Sequence, residues 1–405
     1  MRILMVAPGT RGDVAPLTGL GAALTRDHRF DVSLAANPAY RELAIGSGER
    51  FHALDGDMSA LVSPAAPGTK PRPVDIRRYL AELTAYLDHA ATGTLAAAQA
   101  GADLILANGI SPYAYDIGEA LGIPVIGAHL QPLESSSAHP PMALGLARSL
   151  TGPGNRLLGT LMAAARAPYD RPSARIRSEL GLPPRSRRAS EALRRRHRSP
   201  ILHGFSPSVV PRPRDWHAGL ETTGYWWPHV DPDWTPEPRL VEFLAAGPPP
   251  VFIGFGSTAA HDTQFMLDVA SRAGVRAVLQ GAEGVDTAHV LGIGDVPHAW
   301  LFPRMAAAVH HAGAGTTAAA LRAGIPSVGV PVFTDQPFWA ARVHALGAGP
   351  APVPYAKATV GAVASAVAAA IRTPSFAERA RHLAGLIARE DGVAPVVRAI
   401  RHTVD

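Results

Sequence analysis

The sequence predicts an α/β protein of two Rossmann-like domains, parallel sheets with helices on both faces, that face each other across a cleft. Three observations predict it. Short apolar runs alternate with stretches of helical periodicity through the first half of the chain, the rhythm of a parallel sheet. A stretch rich in proline and tryptophan, PRPRDWHAGLETTGYWWPHVDPDWTPEP, interrupts that rhythm past the midpoint. The alternation then resumes. Composition agrees: 405 residues allow two or three domains with cores of their own, and 47% hydrophobic with 18% charged residues describes a globular chain.

In order, RILMVA (Arg2–Ala7) reads as the first strand, and Val14, Leu17, Leu20 and Leu24 mark the buried face of the helix after it. FDVSLAA is a second strand and FHAL near Phe51 a third. A long helical stretch from about Val74 to Ala100 leads to the strands ADLILAN and PVIGAHLQP. Residues 135–200 are less regular, and SPILHGFS closes the first series. In the second half, PPVFIGFGST, RAVLQG, AAAVHH and PSVGVP read as strands, QPFWAARVHALG as a helix, and the Ala-rich tail from Thr359 as two or three more helices. The expected boundaries are a first domain over 1–205, a linker over 206–238, a second domain over 239–385, and a final helix over 386–405 that packs back on the first domain.

Several classes fall away. With no cysteine there is no disulfide framework, no thiolate metal site and no cysteine nucleophile. No run of about 18 apolar residues free of charge suggests a membrane span, and the start is too short for a signal segment, so a cytoplasmic protein is expected. The net charge of +5 is uneven: ten arginines lie between Arg171 and Arg198. That segment reads as a solvated helical face, or as a surface for anionic lipid or an acidic substrate; nucleic acid is disfavoured because no aromatic residues interleave with the arginines. Gly9 and Gly12, in PGTRGD, lack the G-x-G-x-x-G spacing, and no acidic residue ends the second strand, which argues against a nicotinamide dinucleotide.

What that loop does hold is Asp13, placed just before a helix as either an N-cap carboxylate or a catalytic base. The second half carries HHAGAGTTAAALRAGIPSVGVPVFTDQ, His310 to Gln336. Adjacent strand residues point to opposite faces, so one of His310 and His311 packs and the other serves the site. The small residues that follow, and the helix N-terminus they open, offer backbone N–H groups and a positive dipole end that suit a diphosphate. There is no Gly-Lys-Ser/Thr of a P-loop. Asp335 and Gln336 follow the next strand, where they hold sugar hydroxyls or, for Asp335, cap a helix. A D-x-D at Asp55–Asp57 imitates a metal-binding motif but reads as a turn, and Asp231–Asp233 lies in the linker. No metal site is expected.

These stretches resemble the donor-binding signature of inverting GT-B glycosyltransferases of family 1, nearest the bacterial branch of UDP/dTDP-sugar enzymes that contains sterol-glucosyltransferase-like and glycopeptide-antibiotic members. The resemblance rests on GTRGD (Gly9–Asp13), VPHAWLF (Val296–Phe302), HHAGAGTT (His310–Thr317) and TDQPFW (Thr334–Trp339), and extends through the linker. Ala312 stands where the family has glycine, and Thr10 where it has serine.

The resemblance implies a GT-B fold and these roles: Asp13 as the base that takes the acceptor proton; His311, Gly313, Gly315, Thr316 and Ser257 on the donor diphosphate; Val296 and His298 at the base and ribose, through backbone as much as side chain; Asp335 and Gln336 on the donor sugar. Trp300 either stacks on the base or packs in the core. The implied reaction moves a hexose from a UDP- or dTDP-sugar, a co-substrate and not a cofactor, to a hydroxyl of a lipophilic small molecule such as a macrolide, glycopeptide or sterol. The acceptor pocket is expected from residues 58–73 and 131–151. Two alternatives stand beside this reading: a catalytically silent homologue that activates a partner enzyme, and a sugar-nucleotide epimerase.

Overall fold

The computed structural model describes residues 1–56, 76–146, 149–165, 167–256 and 263–404. Seven strands form the first sheet: β1 (Arg2–Ala7), β2 (Asp31–Ala36), β3 (Arg50–Ala53), β4 (Leu104–Ala107), β5 (Val125–His129), β6 (Ile201–His203) and β7 (Leu220–Thr222). Five form the second: β8 (Val251–Gly254), β9 (Ala277–Gln280), β10 (Val290–Ile293), β11 (Ala307–His310) and β12 (Ser327–Gly329). Every pairing within both sheets is parallel. The central strands β1, β4, β8 and β11 are apolar on both faces because helices cover both faces.

The strand orders are β3-β2-β1-β4-β5-β6-β7 and β10-β9-β8-β11-β12. Each order reverses once, between β1 and β4 in the first sheet and between β8 and β11 in the second. Ligands of doubly wound sheets bind at the carboxyl ends of such reversal points. The loops after β1 and β11, where the sequence placed its two main sites, sit at them.

One face of the first sheet packs on the helix Arg11–His28 together with the last helix, Ala394–Val404, whose Val396, Val397 and Ile400 share a core with Ile3, Met5 and Leu17. The other face packs on the helices Ile76–Gln99, Tyr113–Leu121 and Asp170–Glu179. A further core joins the two halves, with Phe205, Trp216 and Tyr225 packed among Leu321, Trp339 and Leu383.

Three expectations change. The 206–238 stretch is not connector throughout, because Leu220–Thr222 pairs with β6 as the edge strand β7 and Trp216, Tyr225 and Trp226 are buried. The strand β10 comes from HVLGI, which alternates too briefly to be read as a strand from sequence. The arginine-rich segment is only partly the solvated face expected: Arg177 is 1% exposed and donates to Asp116 and Glu119, Arg175 pairs with Asp88 and Glu179, Arg187 with Asp170 and Glu191, and Arg194 lies over the Tyr115 ring, whereas Arg171, Arg188, Arg195, Arg196 and Arg198 stay exposed. Among the described residues, no single helix is long and apolar enough to cross a membrane.

Candidate active site

In the first half, the helix Arg11–His28 begins with Thr10 as its N-cap, and Asp13 lies inside the first turn, three residues on. This corrects the expectation that Asp13 precedes the helix as its cap. Its Oδ2 accepts from the Thr10 backbone N–H at 3.0 Å and faces the Thr10 hydroxyl at 3.4 Å, a reciprocal box that holds the carboxylate against the loop. Gly9 makes room for it, since a Cβ there would stand 2.0 Å from Oδ2.

Burial pushes the Asp13 carboxyl up to about 6, opposed by the Thr10 N–H and reinforced by the charge of Asp335. Asn108, just past β4 and 2% exposed, lies within reach of the same carboxylate and favours its charged form. Sequence reading missed Asn108, because a single asparagine after an apolar strand carries no local signal.

In the second half, β11 delivers both histidines. His310 is fully buried, and its Nδ1 accepts from the Ala312 N–H at 3.1 Å, so it shapes the turn. His311 stands past the strand end, nearly buried; burial lowers its pKa to about 4, which makes it a neutral imidazole at pH 7. A Cβ on Gly313 would come within 2.5 Å of His311 Nε2, so glycine is required for the ring to lie where it does. Gly313 is also the N-cap of the helix Ala314–Ala323, and no side chain caps that helix start. Its first N–H groups are left for another partner. Gly315 is exposed with open space where its side chain would be, and Thr316 lies beside it, partly buried.

Ala312 has φ 63°, a left-handed conformation that costs a non-glycine residue about 1 kcal/mol. Thr334, at φ 53°, is strained in the same way, directly before Asp335. Non-glycine strain of this kind recurs at ligand-binding loops.

The Asp335 carboxylate accepts from the Trp339 indole N–H at 2.9 Å and from the Thr334 hydroxyl at 3.1 Å, and burial raises its pKa. It begins the helix Gln336–Ala345 without capping it through its side chain. Gln336 is 5% exposed and its Oε1 accepts from the Val332 and Phe333 N–H groups at 2.8 and 3.3 Å. Half of that amide therefore builds the loop, which the sequence had given wholly to a ligand.

Val296 lies in the loop after β10, and His298 begins the short helix His298–Leu301. The His298 ring stacks on Phe302 at 4.2 Å and meets the edge of Phe252, and burial lowers its pKa to about 4. Packed inward, it offers a ligand mainly its backbone. Trp300 is held between Arg304, 4.1 Å from its ring, and Trp234, which favours its packing role. Ser257 and Asp57 lie outside the described residues, as does the 58–73 loop. Asp231 accepts from the Asp233 N–H at 2.9 Å, a local turn.

The two halves meet here. Arg11 pairs with Asp295, Arg342 donates to the Val209 carbonyl, and Gly145 sits against the Thr334 carbonyl, so the loop after β5 reaches the Asp335 turn. The cleft thus brings a carboxylate with raised proton affinity from one sheet opposite a strained, N–H-rich turn from the other.

Comparison with known proteins places this geometry. Residues 266–401 match the family described as Erythromycin biosynthesis protein CIII-like, C-terminal domain. The chain is 37% identical over 414 residues to O-mycaminosyltylonolide 6-deoxyallosyltransferase of Streptomyces fradiae, covering 97% of this chain and 95% of that one. It is 32% identical over 431 residues to a sterol 3-beta-glucosyltransferase of Arabidopsis thaliana, covering 98% of this chain and 65% of that enzyme. Among solved structures, the kitacinnamycin glycotransferase is similar with a TM-score of 0.71 at 19% identity, over 100% of this chain and 99% of that one. The thymidine diphosphate complex of the glycosyltransferase SsfS6 from Streptomyces sp. SF2575 is similar with a TM-score of 0.63 at 24% identity, over 99% of each chain. At these identities the two structures speak for the fold.

Proposed function

This chain belongs to the GT-B glycosyltransferases, in the group that holds the macrolide and sterol enzymes just named, and from that premise we propose that it moves a hexose from a UDP- or dTDP-sugar, with inversion, to a hydroxyl of a lipophilic small molecule. The observation that carries this reading is the placement of Asp13 and the His311–Gly313 turn at the two reversal points, on opposite sides of one cleft.

In this reading the acceptor oxygen attacks the anomeric carbon as its bond to the diphosphate oxygen breaks on the far side. The acceptor's proton passes to Asp13, whose pKa of about 6 leaves it ionised at neutral pH yet more basic than an ordinary aspartate. The diphosphate gathers charge on leaving. The uncapped N–H groups of the helix Ala314–Ala323 and the neutral His311 ring receive that charge as donors already in place, the ring turning its N–H to the phosphate. Asp335, with the free half of the Gln336 amide, holds hydroxyls of the sugar and so fixes the carbon under attack. No step calls for a metal ion or a bound cofactor.

The test is direct. The protein is incubated with panels of UDP- and dTDP-hexoses and with macrolide and sterol acceptors, and products are read by mass. One added hexose with a β-linkage from an α-linked donor is the expected result; a retained anomeric configuration overturns the mechanism. Failure of every donor to bind or hydrolyse overturns the function.

A further inference from the structure

Beside the cleft lies a second cluster of chemically capable side chains that the transfer reaction does not use. His129 ends β5, His203 ends β6, and the register of the two strands sets them directly opposite each other. Both side chains therefore emerge on the same face. Glu134, on the loop after β5, turns back between them. Its Oε1 lies 2.8 Å from His129 Nδ1, and its Oε2 lies 2.6 Å from His203 Nε2. The ligating atoms of the three all fall within 4.8 Å of one another.

We propose that His129, Glu134 and His203 form a binding site for a divalent zinc-class cation. Two imidazole nitrogens and a carboxylate oxygen are a zinc donor set, and too rich in nitrogen for magnesium or calcium. The surroundings of His203 match those of a metal ligand: its Nδ1 is bonded to the Glu221 carbonyl at 3.0 Å, which fixes the ring and turns Nε2 inward. Trp216 stacks on the other side of that ring at 4.4 Å.

The site is also sheltered, with side-chain exposures of 10%, 17% and 0% for His129, Glu134 and His203.

Tetrahedral zinc at about 2.0–2.1 Å from each donor spaces the donors roughly 3.3 Å apart, and the three ligating atoms already lie within 4.8 Å of one another, so the widest pair closes by at most about 1.5 Å. Three protein ligands leave a fourth position for water. The bound ion clamps the loop after β5 onto two strand ends, and that loop runs on to the Asp335 turn. The site uses none of the residues assigned to the transfer reaction, and it does not rest on the transferase reading.

The full-length protein, stripped with a chelator and dialysed, is titrated with Zn²⁺ by calorimetry and with Co²⁺ by visible absorption, and its metal content is measured by mass spectrometry. One ion per chain is expected, with tetrahedral Co²⁺ bands, affinity at least tenfold weaker in Glu134→Gln and His129→Asn, and a zinc-dependent rise in Tm that both variants lose. Circular dichroism confirms that these variants fold, which avoids dependence on His203→Ala and its Trp216 contact. No uptake by the wild type, or uptake that both folded variants retain unchanged, overturns the site. Zinc bound by a chain that transfers no sugar would sink the transferase reading alone; sugar transfer without zinc binding would sink only this site.

Discussion

Asp13, in the first turn of the helix Arg11–His28, and Asp335, on the turn before the helix Gln336–Ala345, face each other across the cleft closely enough for the charge of one to raise the pKa of the other. The two carboxylates come from different sheets, so their meeting depends on the packing of the two halves. Asp335 is held by Trp339 and Thr334 and Asp13 by Thr10, and burial raises the proton affinity of both, that of Asp13 to a pKa of about 6.

That affinity predicts the pH profile. A base is active when ionised, so kcat falls as pH drops through the Asp13 pKa, with an acid limb near pH 6. Asp13→Asn keeps an oxygen for the Thr10 N–H and preserves Tm, while the amide takes no proton; kcat drops about a hundredfold or more. Steady-state kinetics over pH 5–9 checks both, and a variant with near-normal kcat moves the base elsewhere.

Gly9→Ala is a second probe of the same group. The new methyl would stand 2.0 Å from Asp13 Oδ2, so the carboxylate has to leave the Thr10 box. The expected result is a kcat loss that approaches that of Asp13→Asn with nucleotide affinity unchanged, although the base itself remains. Calorimetry with dTDP and UDP beside initial rates separates the two terms.

The histidine pair predicts opposite phenotypes. His311→Ala removes a donor to a charged group, worth roughly tenfold to a hundredfold in nucleoside diphosphate affinity, with the fold intact. His310→Ala leaves the Ala312 N–H unpartnered in a fully buried turn and costs about 2 kcal/mol of stability. Calorimetry and thermal melts read them in parallel; a binding-specific loss at His310 would reverse the assignment.

Much of this arrangement was legible because it is local. The strand-to-helix turns at Asp13 and at Gly313 announce themselves through small residues beside apolar periodicity, and they fall at the reversal points of the two sheets. The rest is long-range. Asn108 meets Asp13, and His129 meets Glu134 and His203, only through strand pairing across many residues. Gln336 shows the other gap: its polarity was visible, but not that its Oε1 caps the Val332 and Phe333 N–H groups of its own loop. Arg177 was read within a charged surface, and its burial depends on Asp116 and Glu119 arriving from another helix.

Metal independence of the transfer step follows from a diphosphate site made of N–H donors and His311. Rates with excess EDTA, measured well below Tm, should equal those without it. A loss restored by Mg²⁺ or Mn²⁺ contradicts this, whereas a fall in Tm on chelation, restored by Zn²⁺, belongs to the His129–Glu134–His203 cluster.

The last prediction concerns stability and a carboxyl far from the reaction. Glu49 is 5% exposed, packed against Gly21 and Met5, and neither oxygen finds a hydrogen-bond donor at normal geometry among the described residues. Burial pushes its pKa up to about 9, with Ser47 relieving only part of the effect. The unfolded chain releases that proton near pH 4.3, whereas the folded chain keeps it to about pH 9. Between those values the folded state binds more protons than the unfolded state, so stability falls as pH rises through the window, by up to about 1.4 kcal/mol per pH unit, and levels off above it. Below pH 4.3 both states are protonated and this loss is absent. Glu49→Gln cannot ionise and escapes the loss. Its Tm should sit close to the wild type at pH 5 and clearly above it at pH 8, read by calorimetry or circular dichroism in both buffers. Parallel Tm curves across that range would mean that Glu49 gains a partner or water in the folded chain and does not hold its proton.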